Sequence, residues 1–475
     1  MAELKPANEN PWYVLATLYG EQTGDGIDWE LHEKNRRAWN AWAGKDLADT
    51  GKLFEATNVC SVSQAELTAW RTLADEVKCL HQEQMVKRND QSFVYEGLPS
   101  PRKSFDFSDL IFGLPVICND FAFPTDVTFQ NANFKADGQF KLVSFFAQSS
   151  FQGAKFNSNA FFREADFAFG IDFREVEIAR ITNFYSASFG APNYFGGAQF
   201  KGLANFVSAF FQDIVYFRDA HFYEVANFQL ARFGGLTNFV NTKFDDTGDS
   251  RIDRTSFRDC QFDKPTSFRE AVFLKNYPDL SGAVLHDNTT FTAKEGYWPD
   301  KAQRPYKDRD EEQIWAEASK DSCATIRHAI AKQGLPEDEH FFFRREMQFA
   351  GQIGSWLQRL PYRAFGLVSD YGHSIERPAK SLVTTVVMPS GVFAAKLGTA
   401  GHGAGLLDFF REIWAGLGLS FANTFKFFGL QRLHFGKFFQ EAGPWLHFLA
   451  GTQTVLGFVF LFFLGLGLRQ RFRLR

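Results

Sequence analysis

Cysteine is scarce in this chain of 475 residues, and its five cysteines are widely spaced at Cys60, Cys79, Cys118, Cys260 and Cys323. No two of them form a C-x-x-C pair, so the sequence indicates neither a zinc site nor a disulfide framework. The N-terminal residues also lack the apolar core and cleavage site of an export signal. We therefore expect reduced thiols in a cytoplasmic compartment.

Neither sign of charge dominates, because 51 Lys and Arg stand against 55 Asp and Glu. This balance excludes a strongly basic nucleic-acid binder. Catalytic motifs are missing as well: the sequence contains no G-x-S-x-G, P-loop, G-x-G-x-x-G or H-E-x-x-H pattern. We therefore expect no enzymatic activity, no cofactor and no metal site.

What the sequence has in excess is phenylalanine, with 58 residues. Eleven successive positions spaced eleven residues apart are all Phe. They are Phe129, Phe140, Phe151, Phe162, Phe173, Phe184, Phe195, Phe206, Phe217, Phe228 and Phe239. A second series begins five residues later at Phe134 and is interrupted once, by Ile178. The Phe positions therefore alternate in steps of five and six.

This spacing predicts extended chain rather than helix. Positions five apart lie about 140° apart around a helix, so the phenylalanines would share no stripe. In a strand, residues i and i−2 face the same side. Alanine stands two residues before many of the phenylalanines, as at Ala132 and Ala154, so both residue types would fill one interior. Short strands that turn and stack form a solenoid of about 22 residues per coil, and the extra residue in every second unit predicts a bulged corner.

The unit F-x-x-A-x-F with its five-residue step resembles the pentapeptide-repeat proteins, over residues 107 to about 291. The resemblance implies a right-handed, four-sided β-helix whose core is filled by the Phe and the small residue two positions earlier. One known role in that family is mimicry of DNA, which needs a strongly acidic rod. Residues 105–295 carry 23 acidic and 17 basic side chains of mixed order, so we expect no nucleic-acid role.

The predicted fold class is therefore mixed: a β-helix over residues 105–295, flanked by helical segments. Residues 1–104 form a helical module, with helices expected over Leu31–Trp42 and over Gln64–Gln82, the second capped by Ser63. This module either covers the open end of the β-helix or presents a docking surface. Residues 296–376 form a helical connector, with helices expected over Asp310–Gln333 and Glu337–Leu360, the latter ended by Pro361.

Residues 377–475 are predicted to be a membrane region with candidate spans at 381–397 and 445–468. Basic residues flank these spans and favour the cytoplasmic side for both ends. They are Arg377, Lys380, Arg469, Arg471, Arg473 and Arg475. Two crossings then form a hairpin, with a single crossing as the alternative, and the apolar stretch Leu406–Phe428 between the spans reads as interfacial or re-entrant.

These features predict an integral membrane protein of bacterial type whose bulk lies in the cytoplasm. Its expected role is that of a scaffold, with the lipid bilayer and an unidentified protein as partners. The alternative is a channel-like or transport-related protein with the β-helix as regulatory domain. A potassium filter is not expected, because Ser420–Gly429 has no G-Y-G run and contains Lys426. Whether the chain forms a homo-oligomer stays open.

Overall fold

A computed structural model describes residues 4–24, 26–45, 69–89, 93–247, 254–299, 309–398 and 406–471. The chain divides into two compact units, Met1–Phe343 and Arg344–Arg475. The first contains a parallel β-solenoid with helices on either side of it in sequence, and the second is helical.

The helices among the described residues are α1 (Pro11–Ala16), α2 (Trp29–Gly44), α3 (Trp70–Arg88), α4 (Arg309–Ala331), α5 (Pro336–Ala350), α6 (Trp356–Ser369), α7 (Glu376–Gly398), α8 (Leu406–Thr424), α9 (Leu430–Glu441) and α10 (Pro444–Arg471). Short 3-10 helices occupy Ala7–Glu9 and Lys426–Phe428.

The solenoid has four parallel sheets, one on each side, and the chain visits them in the order B, A, C, D. Sheet A contains Lys5–Pro6, Leu110–Phe112, Asn133–Phe134, Lys155–Phe156, Glu177–Ile178, Gln199–Phe200, His221–Phe222, Lys243–Phe244 and Val272–Phe273. Sheet B contains Phe105–Asp106, Val127–Thr128, Ser149–Ser150, Ile171–Asp172, Asn193–Tyr194, Val215–Tyr216, Thr237–Asn238, Thr266–Phe268 and Thr290–Phe291. Sheet C contains Val116–Ile117, Gly138–Gln139, Ala160–Phe161, Thr182–Asn183, Ala204–Asn205 and Ala226–Asn227. Sheet D contains Ala122–Phe123, Ser144–Phe145, Asp166–Phe167, Ser188–Phe189, Phe210–Phe211, Arg232–Phe233 and Gln261–Phe262.

Each coil before the insertion near residue 250 takes 22 residues, which confirms the predicted solenoid. Phe134 pairs in register with Phe156, and Ala204 pairs with Ala226. The spacing changes at the predicted insertion, where Phe228 stacks on Phe257 at a ring distance of 5.0 Å, a step seven residues longer than the earlier coils. Strand pairing continues beyond it, as between Lys243 and Val272, and the last pairs, such as Ser267 with Thr290, are 23 residues apart.

The corners that carry the extra residue have a left-handed backbone. Positive φ recurs every eleven residues, for example at Asn131 (56°) and Leu142 (55°), each two residues after a Phe of the first series. The amide of Ala132 donates to the carbonyl of Phe129 at 3.0 Å and closes the turn. Four residues separate the strands at such a corner, as between Thr128 and Asn133, against three at the others, as between Phe134 and Gly138. The longer corner is thus a hydrogen-bonded turn, and its left-handed residue costs little where Asn, Asp or Gly occupies it.

The first coil is covered by aromatic residues of the N-terminal helices. Trp39 of α2 is fully buried, and its indole N–H donates to the carbonyl of Ala122 at 2.8 Å. Asn40 extends the hydrogen bonding of the same strand, since its amide accepts from the backbone N–H of Ala122 at 3.0 Å and donates to the carbonyl of Asp120 at 2.9 Å. The exposed polar edge of the solenoid is satisfied here by side chains rather than by another strand.

Two predicted helix boundaries differ from the structure. The helix expected over Gln64–Gln82 is α3, which runs on to Arg88, and its predicted cap Ser63 lies outside the described residues. The prediction of one helix over Glu337–Leu360 is wrong, because α5 ends at Ala350. Gly354, between the two helices, adopts a left-handed backbone with φ of 80°. Ser355 is the N-cap of α6 and forms a capping box with Gln358.

Pro361 therefore lies inside α6 instead of ending a helix. Its missing N–H removes the hydrogen bond to the carbonyl of Leu357, one of the first carbonyls of that helix.

Candidate functional site

The eleven Phe positions predicted to form the core all lie inside the solenoid, with at most 1% of each residue exposed. A step of eleven residues crosses to another side of the solenoid, so the series divides into two ladders. One comprises Phe129, Phe151, Phe173, Phe195, Phe217 and Phe239, and the other comprises Phe140, Phe162, Phe184, Phe206 and Phe228. Within a ladder the rings stack, as for Phe184 and Phe206 at 5.0 Å, and between ladders they meet edge to face, as for Phe206 and Phe217 at 88°. These residues stabilise the fold and take no part in binding at the surface.

The outward side of sheet B carries a concave site of about 390 Å³. Its floor includes Ser150 and Asp172, which lie one above the other in neighbouring coils. The guanidinium of Arg174 donates two hydrogen bonds to the Asp172 carboxylate, at 2.9 and 2.6 Å, and lies over the ring of Tyr194 at 5.4 Å. Phe169, half exposed, stands at the corner beside it. We call this set the sheet B groove.

The sheet B groove combines a carboxylate, a guanidinium, hydroxyl groups and two aromatic rings. Such a set can donate and accept hydrogen bonds and stack on a flat group. The Phe series did not predict this groove, because the groove is lined by outward-facing side chains that lie between the phenylalanines in sequence. The 22-residue coil length does place Asp172, Tyr194 and Tyr216 in one column, but the groove also needs the corner residue Phe169.

A polar network lies inside the second unit, in addition to a buried apolar cluster of Phe393, Leu419, Leu446 and Ala450. Gln453 of α10 is 2% exposed, and its amide nitrogen donates to the carbonyls of Thr385 in α7 and Ser420 in α8 at 3.0 and 2.9 Å. The hydroxyl of Thr424 lies 3.0 Å from the same nitrogen. Asn423 is fully buried next to this network, and its backbone carbonyl accepts from Thr454 at 2.9 Å. One amide side chain thus joins three helices.

The outer surface of that unit is apolar. More than half of each of several large side chains is exposed there. They are Val383, Val387 and Met388 of α7, Phe409, Phe410 and Trp414 of α8, Leu433 of α9, and Trp445, Phe448, Val455, Phe458 and Phe462 of α10. So many large apolar side chains on the outside are unusual for a water-soluble helical bundle.

Packing contacts define the directions of these helices. A Cβ on Gly416 of α8 would lie 2.5 Å from the carbonyl oxygen of Ser390 in α7, and Ser420 donates to the carbonyl of Val386, so α8 runs antiparallel to α7. Gln453 of α10 contacts Ser420 of α8, and four residues later in both helices Gly457 contacts Thr424. The contacts advance in the same direction along both chains, so α10 runs parallel to α8. The helices α8 and α9 lie between α7 and α10 in sequence, and α7 and α10 also contact each other directly, as between Thr385 and Gln453.

Among the described residues, α10 contains the one helical stretch, Pro444–Arg469, that is long and apolar enough to cross a membrane. The other predicted span, residues 381–397, is part of the continuous helix α7 but does not reach the same hydropathy. Its Pro389, Ser390 and Lys396 lower its apolar content.

The predicted basic flanks occupy the start of α7 and the end of α10. Arg377 and Lys380 lie in the first two turns of α7, and Arg469 and Arg471 in the last turn of α10. These two helix ends are neighbours, because a Cβ on Gly467 would lie 3.2 Å from the carbonyl oxygen of Ser374. Arg473 and Arg475 lie outside the described residues.

Titratable groups in the described part of the chain are dispersed, and no three His, Cys, Asp or Glu side chains gather there as metal ligands would. Among the described residues, Cys79, Cys118, Cys260 and Cys323 form no disulfide bond, and Cys60 lies outside the described residues. Burial raises the pKa of the Cys118 thiol to about 12 and that of Cys260 equally, so neither is a nucleophile at neutral pH. Both take positions in the solenoid core.

Comparison with family models identifies pentapeptide repeats, in nine copies, over residues 195–243. These residues lie in the middle coils of the solenoid, where the Phe positions are uninterrupted. Comparison with curated proteins and with solved structures finds no match.

Proposed function

Because this chain is a pentapeptide-repeat protein, we propose that its solenoid is a non-catalytic interaction scaffold held at a membrane by the C-terminal helices. In this proposal the bulk of the chain lies on the cytoplasmic face. The outward residues of the rod, including the sheet B groove, bind a protein partner. The inward phenylalanines keep the binding surface rigid.

The observation that carries the membrane part of the proposal is the apolar outer surface of the second unit. Exposed Phe458 and Val455 on α10 would each expose apolar surface to water if the unit were soluble. Lipid removes that cost. The interior network around Gln453 fits the same environment, since polar groups within a bilayer are stable when they bond to neighbouring helices.

The rod supports the scaffold part through the division of its residues between inside and outside. Alternate strand positions are committed to the core, and the remaining ones vary freely without disturbing the stacking. Asp172, Arg174 and Tyr194 belong to this second class. A parallel solenoid also holds neighbouring outward residues at one strand spacing of about 4.8 Å, which suits an extended partner.

The channel-like alternative requires residues that could line a pore between subunits. The polar side chains nearest to that description, Ser420, Asn423 and Thr424, are at most 1% exposed. They lie within the helix bundle of one chain and are not available to several copies at once. We therefore favour the scaffold over the channel.

Substitution of exposed residues on α10 tests the membrane anchor. The full-length double variant Val455→Lys, Phe458→Lys places two charges on the apolar outer surface, where each costs about 2.5–3.5 kcal/mol in a bilayer centre but little in water. We expect the unmodified chain to remain in the membrane pellet after alkaline extraction and the variant to be lost from it. The matched control is Phe210→Lys on the outside of the solenoid. A wild-type chain recovered in the soluble fraction would contradict the proposal.

Site-specific photo-cross-linking in cells tests the scaffold. A photoreactive amino acid at Tyr194 should give a defined cross-linked product, whereas the same group at Tyr223 on the outside of sheet A serves as the control position. The variant Asp172→Ala, Arg174→Ala should abolish the product formed from position 194. Equal products from both positions, unaffected by that variant, would mean that the groove binds no specific partner.

A further inference from the structure

A groove of about 430 Å³ separates α7 from α10 in the second unit. Lys380, Thr384 and Met388 line it on α7, and Leu449, Thr452 and Leu456 line it on α10. Its volume is in the range of sites that hold small organic molecules. We infer that this groove binds an anionic phospholipid; the inference rests on the proposed membrane anchoring of the same helices.

One end of the groove is basic. Lys380 lies there, with Arg377 one turn earlier in α7 and with the α10 end that carries Arg469 and Arg471 beside it. Glu376 pairs with Lys380 at 2.5 Å, and both side chains are about three-quarters exposed. A lysine ammonium has three donors, so it can serve this carboxylate and a phosphate together. Arg377 also pairs with Asp370 at 3.7 Å, so four basic groups stand against two acids. The rim keeps a net positive charge, which attracts an anionic head group.

The groove becomes apolar away from that rim. Met388 is two turns further along α7 than Lys380, about 12 Å by helical rise, and Leu449 faces it from α10. Met388 is 74% exposed, so the groove is open at its side to the apolar outer surface. A phospholipid could enter laterally, with its phosphate at Lys380 and an acyl chain between Met388 and Leu449.

The charge gradient along the groove is what selects this occupant. A transmembrane helix from a second copy would bring apolar side chains to the whole groove and would leave Lys380 facing hydrocarbon. A neutral phospholipid would fill the apolar part but gain less at the rim. Only an anionic amphiphile matches both ends.

Native mass spectrometry of the full-length chain in mild detergent tests the inference. The probes are phosphatidylglycerol and phosphatidylcholine with identical acyl chains. We expect one phosphatidylglycerol to be retained in preference to phosphatidylcholine. The variant Lys380→Gln should weaken that retention about fivefold, the effect of one basic residue near an anionic lipid. Lys396→Gln, at the opposite end of α7, should leave it unchanged.

A second pair of variants tests the apolar part of the groove. Thr384→Trp fills the groove and should exclude both lipids, whereas Val383→Trp, on the neighbouring exposed surface of α7, should exclude neither. Equal retention of the two lipids together with no effect of Lys380→Gln would overturn the inference. A dimer that dissociates on Thr384→Trp would overturn it as well, because the occupant would then be a second copy. A chain that fractionates as soluble refutes the membrane anchor itself, while a membrane-bound chain without lipid preference refutes only the groove.

Discussion

Replacing Phe206 by Ala removes one ring from the middle of a ladder. Phe206 is fully buried and stacks between Phe184 and Phe228, with ring centroids 5.0 and 4.8 Å away. Phe195 and Phe217 meet its ring edge to face at 5.9 and 5.8 Å. The neighbouring rings are themselves stacked in register, so they cannot collapse into the space that the substitution leaves.

The expected loss of stability follows from these contacts. A buried Phe→Ala substitution costs about 3–5 kcal/mol, and the rigid ladder should place this one near the upper limit. In a repeat protein the loss is felt most by the nearest coils, because each coil contacts only its neighbours. A loss of about 4 kcal/mol corresponds to roughly a 1,000-fold faster hydrogen exchange in those coils.

Hydrogen exchange of the full chain, read by mass spectrometry of peptides, measures this effect. Phe210→Ala is the matched control, because Phe210 is on the outside of sheet D and 37% exposed. We expect it to change exchange in the same peptides by less than tenfold. If both variants accelerated exchange equally, or if Phe206→Ala changed it by less than tenfold, the stacked ladder would not be the source of the solenoid's stability.

Two further predictions concern the cap and a corner. His32 is buried against Phe121, and burial lowers its pKa to about 4, so the unfolded state binds more protons than the folded state between pH 6.5 and 4. The free energy of unfolding of the N-terminal cap should therefore fall by up to about 3 kcal/mol as the pH falls through that window. Tryptophan fluorescence measures the unfolding, and the variant His32→Leu should remove its pH dependence. A Cβ on Gly234 would lie 2.6 Å from the carbonyl oxygen of Gln212, so Gly234→Ala should lower the melting temperature by an amount equivalent to about 1–3 kcal/mol. The control Gly113→Ala, with open space around the glycine, should leave the melting temperature unchanged. Equal melting temperatures of the two variants would contradict the close packing at the Gly234 corner.

The arrangement of the C-terminal helices was only partly predictable. Length and apolarity identify α10 as a candidate span, and the basic residues of both flanks are visible in the sequence. The network around Gln453 is not, because its three partners come from helices more than 28 residues away along the chain. The same holds for the groove at Lys380, which is lined by residues of both α7 and α10.

The helix boundary near Ala350 shows why local signals mislead. Pro361 is the strongest breaker in that region of the sequence, yet the helix ends at Ala350, eleven residues before it, and Gly354 adopts a left-handed conformation between that helix and the next. Proline in an early turn of a helix loses one hydrogen bond, a cost that packing of the helix can offset. A glycine at positive φ interrupts the hydrogen-bonding pattern altogether.

The sequence by itself determined the solenoid, because a period of 22 residues specifies at every position whether a side chain faces inward or outward. Stacking of identical rings then follows from the register of parallel strands, because the stacked rings belong to adjacent coils. Only the tertiary structure decided which outward residues form a site. The sheet B groove joins Asp172 and Tyr194 to the corner residue Phe169, and the polar network of the second unit joins three helices. Such sites depend on the relative positions of separate elements, which no local periodicity encodes.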